Sequence, residues 1–350
     1  MLLISDKIIQ EQYFDVPSRK WSASALETYN SCGASYYYTH NGIALPTPSE
    51  MTLGKLIHSL AQNFWNEKEE PKYKSRDSFK NAAVAQWNFI ARLASSRGQP
   101  TKWRYQAEPY VLRKDVAKTA EVLYDTLIKR GQPPYVEGYF DFFIKGVRFV
   151  GSIDELRKNA TIIDHKNYPE DYNPYSLENK EILDNKIQFT LYALAVAANA
   201  YLDPEFASDL GIEVNKRWSW EKSLEKINSQ INLEMHLTRK GEFVPIKRRR
   251  LYQFDELINL AKEFEKRIAS SDFPTNRGEH CRYCIALEPC AKDTANDSLP
   301  KPTEGGKVSL FKEIASYPEP VSLKPIRCQR KKEGKEGKQL RFPFMKELKG

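Results

Sequence analysis

Two stretches near the middle of the chain are dense in β-branched and aromatic residues: Tyr135–Ile144 and 147–153, separated by the turn pair Lys145-Gly146. A third apolar run, 160–163, follows Lys158-Asn159, so the pattern predicts two consecutive hairpins. Side chains alternate faces along a strand. Asp154, closing one strand, and Asp164, leaving its neighbour, therefore converge at one sheet edge, with Lys166 on the same face as Asp164. Elsewhere the period is helical. Leu53, Ile57, Leu60, Ala61 and Phe64 mark a helix over 53–68, and two more are predicted over 76–95 and 114–129. Breaks fall at Glu70-Pro71 and in the loop Ser95-Ser96-Arg97-Gly98. A further helix begins near Ile187, and 219–237 and 251–268 read as amphipathic helices. Ser24 and Glu27 read as the capping box of an N-terminal helix ending at Cys32. No internal repeat is present.

The predicted strand edge carries a recognisable chemistry. Hard divalent cations such as Mg²⁺ bind carboxylate and carbonyl oxygens and keep several waters. Asp154, Asp164 and the His165 carbonyl form such a donor set, and the Lys166 ammonium would orient a water or neutralise a scissile phosphate. Taken alone, Asp-x-Lys reads as a solvated strand exit. Glu137, one strand earlier, is a further acidic candidate, although an exposed strand carboxylate often has no role. His58 sits beside the apolar face of the 53–68 helix, as a metal ligand or as a core histidine. Gln188 and Tyr192, four apart on one helix face, present an amide and a phenol side by side, either as a functional pair or as two amphipathic residues at the rim of a buried helix.

Cysteine usage adds a second candidate centre. The five are Cys32, Cys281, Cys284, Cys290 and Cys328. With no signal peptide and no apolar segment long enough to span a membrane, an intracellular reducing compartment such as the cytoplasm is expected, where disulfides are rare. Cys281-x-x-Cys284 and Cys290 supply three thiolates in one loop, and Cys32 can supply the fourth. Four thiolates suit tetrahedral Zn²⁺ or an iron-sulfur cube. Zinc sites more often pair two Cys-x-x-Cys knuckles, whereas here one ligand stands alone near the other end of the chain.

These features occur in an order that resembles the PD-(D/E)XK nuclease superfamily, specifically its RecB-like exonucleases. The residues carrying the resemblance are Gly54-x-x-x-His58, Gly151-x-x-Asp154, Ile162-Ile163-Asp164-x-Lys166 and Gln188-x-x-x-Tyr192. The helix ending at Cys32, with the cysteine triplet after Phe273-Pro274, resembles the iron-sulfur subfamily that includes AddB-type and CRISPR-associated exonucleases. The resemblance implies a restriction-endonuclease-like α/β fold, a central mixed sheet flanked by helices, with the chain ends joined by a four-cysteine cluster. It implies Mg²⁺ or Mn²⁺ at His58, Asp154, Asp164 and the His165 carbonyl, and Lys166, Asp154, Asp164, Gln188, Tyr192 and Glu137 as catalytic. A 4Fe-4S cluster on Cys32, Cys281, Cys284 and Cys290 is likewise implied, with Zn²⁺ as the alternative.

Three segments are expected: an N-terminal extension over 1–20, a nuclease domain over 21–293 with a helical insert near 69–132, and a tail over 294–350. At 41% apolar, 350 residues suffice for a core of that size. The net charge of +8 is uneven. Ten Lys or Arg against three Asp or Glu fall after position 320, so the basicity is mostly a tail. That composition predicts disorder, nonspecific attraction to phosphates or docking on a protein partner. Lys247-Arg248-Arg249-Arg250 is a phosphate-contact candidate in the body, and Trp103-Arg104-Tyr105 a base-stacking candidate. The expected function is DNA cleavage, as an exonuclease on single-stranded or end-containing DNA. A flap endonuclease, a non-catalytic DNA-binding subunit and an RNA-directed nuclease are the alternatives.

Overall fold

The computed structural model describes residues 19–40, 47–65, 70–96, 101–278, 281, 284–287 and 289–291. The tail, Cys328 and the N-terminal extension up to residue 18 lie outside them.

Strand β1 (Lys20–Trp21) leads into α1 (Ala23–Ser31) and α2 (Gly33–His40). A small parallel pair, β2 (Thr47–Pro48) with β3 (Thr101–Lys102), brackets α3 (Ser49–Gln62) and α4 (Arg76–Ser96), and α5 (Glu108–Arg130) follows. Next come β4 (Tyr135–Ile144), β5 (Val147–Arg157) and β6 (Thr161–Lys166), then α6 (Leu177–Asp184), α7 (Ile187–Leu202), α8 (Pro204–Asp209) and α9 (Trp220–Asn228). The last elements are β7 (Asn232–Leu237), β8 (Glu242–Ile246) and α10 (Leu251–Ala269).

Among the described residues the main sheet has six strands of mixed direction. β5 is its centre. β4 pairs antiparallel along one edge of β5, while the other edge is shared: β1 lies parallel to its first half, and β6 lies antiparallel to its last residues. Between those two pairings, around Asp154, the edge forks. β6 continues to β7 in parallel and β7 to β8 in antiparallel. The parallel step needs a crossover, which α6 to α9 provide. α7 is apolar on almost every face, from Phe189 to Ala200, because it is buried between the sheet and the helices α1, α9 and α10. A second apolar core joins α3, α4 and α5 through Leu53, Ile57, Phe79, Trp87, Val116 and Leu123. α5 opens with Pro109 in its first turn and ends at Gly131, whose φ of 72° a side chain would resist.

Several expected boundaries move. The 219–237 helix ends at Asn228, and Asn232–Leu237 is a strand instead. In that stretch Leu233, Met235 and Leu237 alternate at strand period, and pairing with β6 overrides the helical reading. β8, with Pro245 near an edge, was not expected from the pattern. The N-terminal helix is capped by Ser22, whose Oγ accepts the Ala25 N–H at 3.2 Å, rather than by the Ser24/Glu27 box. The helix expected over 53–68 runs from Ser49 to Gln62, and the one expected to begin at Lys114 begins at Glu108.

Candidate active site

The fork in the sheet places the carboxylates. Asp154 lies one step beyond the Glu155–Ile163 pair, opposite Asp164, and where backbone pairing stops its Oδ2 accepts the His165 N–H at 2.7 Å. The same oxygen is 3.3 Å from His58 Nδ1, presented by α3. From the other side, Glu137 stands across from Asp154, between the Val136–Glu155 and Gly138–Ile153 pairs. Its φ of 50° is unusual for a non-glycine residue in a strand. His58, Glu137 and Asp154 each offer a ligand atom, and those atoms lie within 4.8 Å of one another. Glu137 is thus drawn into the cluster rather than left on an exposed strand face.

Asp164 is fully buried. Lys166 Nζ is 2.7 Å from its Oδ2, while Oδ1 accepts no hydrogen bond among the described residues. A buried, unpartnered carboxylate oxygen is costly unless something fills the position. Two carboxylates and an imidazole form the gathered group, with Asp164 opposite Asp154 in the register as a third carboxylate beside it, and such donors fit Mg²⁺ or Mn²⁺. The electrostatics agree. Burial opposes ionisation of Asp154, yet the hydrogen bond and charge of His58 hold its carboxyl well below the usual range. Burial raises Glu137, and the Asp154 charge raises it further. For Lys166, burial works against the ammonium, but Asp164 and Asp154 outweigh it and hold the group above its ordinary value.

His58 is balanced similarly: burial disfavours its cation, and Asp154 more than compensates, so its pKa is raised. A metal must displace that proton to bind the imidazole. Mn²⁺ affinity is therefore expected to climb as the pH rises above the ordinary histidine value of about 6.5, since the raised His58 loses its proton only there, and to climb less in His58→Ala. Calorimetric titration at two pH values checks this; an identical pH dependence in the variant would remove His58 from the ligand set.

α7 contributes the opposite wall. Gln188 Nε2 donates to Tyr192 Oη at 2.8 Å, as the four-residue spacing anticipated. Tyr192 is buried, and burial followed by the charges of Asp164 and Asp154 pushes its phenol far up, so it stays protonated beside the carboxylates. The His165 ring is buried under the strand, with Nδ1 2.9 Å from His236 Nδ1 and Nε2 3.8 Å from Glu155 Oε2. Burial holds both histidines down, which suits a pair where one neutral ring donates to the other.

The four cysteines of the second candidate centre also gather. Cys32 caps the C-terminus of α1 and packs with Ala34, Tyr38 and Ala286, against which Cys284 and Cys290 lie. Burial raises the Cys290 thiol, and proximity to Cys32, Cys284 and Cys281 raises it more. Gly33 is what lets the start of α2 meet the 273–274 segment: a Cβ there would fall 2.7 to 2.9 Å from Pro274 and the Phe273 carbonyl carbon. Ala34 N–H donates to Pro274 O and Asn276 Nδ2 to Ser31 O across the same junction.

Two surface readings change. Arg249 is buried and donates to the carbonyls of Leu183 and Asp184, closing the end of α6, so it is not presented to DNA. Lys247, Arg248 and Arg250 remain exposed. Trp103 packs edge-on to Trp87, and Arg104 pairs with Glu50 and Glu108, leaving Tyr105 as the exposed aromatic of that triplet.

The family model of the PD-(D/E)XK nuclease superfamily matches residues 20–291. The chain belongs to this superfamily. The match takes in both hairpins, His58, the Gln188/Tyr192 helix and all four gathered cysteines. Among solved structures, one from Eubacterium rectale described as a "Putative exonuclease" is similar at 13% identity and a TM-score of 0.38, covering 83% of this chain and 91% of that one. No curated protein matches. The superfamily motifs do not point to three other groups beside the site. Glu27 Oε1 accepts the Gln188 N–H at 3.4 Å, joining α1 to the start of α7. Tyr168 and Lys186 both lie within the field of Lys166 and Asp164. Glu27 is distant in sequence and carries no local signal, whereas Lys186 stands two residues before Gln188.

Proposed function

We propose that the chain is a Mg²⁺- or Mn²⁺-dependent deoxyribonuclease, acting as an exonuclease on single strands or DNA ends in repair, recombination, replication or phage-related DNA processing. The observation that carries this reading is the convergence of His58, Glu137 and Asp154 with the buried Asp164–Lys166 pair at one fork of the sheet. In it, His58, Glu137, Asp154, Asp164 and the His165 carbonyl hold the cation, which when bound supplies acidity to a water and offsets transition-state charge. Lys166, held as an ammonium, donates to that water or to a scissile phosphate oxygen and does not serve as a base. Asp154 keeps the His165 peptide in place through its N–H. Gln188 steadies the neutral Tyr192 phenol under the carboxylates and turns its remaining amide groups to phosphate.

The cysteine centre belongs to the same proposal: Cys32, Cys281, Cys284 and Cys290 hold a 4Fe-4S cluster that fastens the ends of a domain spanning 21–293. The basic tail over 294–350 attracts DNA or docks a protein partner. The protein works in an intracellular reducing compartment, and no helix among the described residues is long and apolar enough to cross a membrane.

Labelled linear single-stranded, circular single-stranded, duplex, flap and RNA substrates with Mg²⁺, Mn²⁺ or EDTA test the reading. Metal-dependent loss of linear DNA with circles left intact is expected. Cutting of circles or at flap junctions would make the activity endonucleolytic, and cleavage of RNA alone would replace the substrate.

A further inference from the structure

Lys186 is a cation the site has not paired. It is the N-cap residue of α7, half-buried, and makes no ion pair within 4.0 Å among the described residues. The charged groups whose fields reach it are Lys166, which repels it, and Asp164 and Glu27, which attract it from beyond contact distance. Burial, then Lys166, hold its ammonium below the ordinary value. Lys166, by contrast, is neutralised by Asp164 at 2.7 Å. Of two neighbouring lysines, one is satisfied and one is not. A partly desolvated ammonium within the field of a second one is costly until an anion arrives.

We propose that Lys186 is a second phosphate-binding cation, holding the phosphodiester next to the scissile one while Lys166 serves the scissile phosphate. The assignment rests on the nuclease reading above, and it deepens that reading by requiring a substrate with consecutive phosphates on one strand. α7 places Lys186 one residue ahead of its first turn and Gln188 in that turn, so the same helix start would track the strand beside the cation site. Glu27 holds the Gln188 N–H and so fixes where that helix begins. Tyr168 lies within the field of the same Lys166 and Asp164.

Affinity for a single-stranded oligonucleotide, measured in EDTA over a salt series, reads this without cleavage. Each phosphate neutralised on a single strand adds about 0.7 to the slope of log K against log salt. Lys186→Met is expected to lower the slope by about that amount and Lys186→Arg to keep it. A neutral methylphosphonate at the flanking position should lower the wild-type slope equally and have no further effect in Lys186→Met. With Mg²⁺, kcat/KM of Lys186→Met should fall roughly 10- to 100-fold, as for loss of one hydrogen bond to a charged group. An unchanged slope in Lys186→Met, or a methylphosphonate penalty that persists undiminished in it, overturns the proposal. If Lys186→Met fails to fold, the methylphosphonate scan on the wild type decides: no position with a slope loss overturns it. A wild type that binds as described but never cleaves would sink the nuclease reading and with it the scissile register, while Lys186 would remain a phosphate-binding cation.

Discussion

Replacing Lys166 by alanine is expected to reduce single-turnover DNA cleavage by roughly 100- to 1000-fold or more, the usual cost of removing a preorganised donor from developing charge. The loss should fall on the chemical step, since other cations remain to bind phosphate. The same change has a second, independent signature. Asp164 is fully buried and Lys166 is the cation against it, so the variant strands a carboxylate in the interior. Breaking a buried pair from one side costs about 3 to 5 kcal/mol unless the carboxyl takes up a proton. Added Mg²⁺ or Mn²⁺ should therefore raise the melting temperature of Lys166→Ala by more than that of the wild type, because a cation replaces the missing ammonium. Equal metal stabilisation of the two proteins would separate Asp164 from the metal site.

The second large effect is expected at the cysteines. Anaerobically purified protein should be brown, with about four irons per chain and broad visible absorption. Cys32 is buried at the end of α1, and the residues around it already join the 273–276 segment through Gly33, Ala34 and Asn276. Loss of Cys32, Cys281, Cys284 or Cys290 should thus release the iron and lower the stability of the whole domain, while a change at Cys328 should do neither. Iron analysis of the wild type and Cys32→Ala separates the alternatives. One equivalent of zinc in a colourless protein, or full iron retention without Cys32, would overturn the assignment of a four-cysteine iron-sulfur centre. The phosphodiesterase site rests on different residues and would be untouched.

What could be read along the chain was what local contacts decide. The two hairpins around Lys145-Gly146 and Lys158-Asn159 follow from turn chemistry and strand alternation, and they carry Asp154, Asp164 and Lys166 with them. That Gln188 and Tyr192 meet on one helix face follows from their spacing, while the resemblance to the superfamily is what marked them as site residues. The errors arise where distant partners decide. Residues 232–237 become a strand because β6 is there to pair with, and Arg249 turns inward because the carbonyls of Leu183 and Asp184 need a donor. Glu137 could be named only as a weak acidic candidate, because its place opposite Asp154 depends on pairing with β5. The link from Glu27 to Gln188 spans more than half of the described chain, and no spacing rule reaches that far.

The central claim is that the fork of the sheet is a metal-dependent phosphodiesterase site, and Asp164 tests it most directly because one of its buried oxygens lacks a partner that a cation would supply. The measurement is degradation of 5′-labelled single-stranded DNA by the wild type and by Asp164→Ala, each with Mg²⁺, with Mn²⁺ and with EDTA, after circular dichroism shows that the variant is folded. The account predicts rapid loss of the labelled strand for the wild type with either metal, and background rates for EDTA and for the variant under every condition. Cleavage that survives EDTA, or an Asp164→Ala protein as active as the wild type, would contradict it.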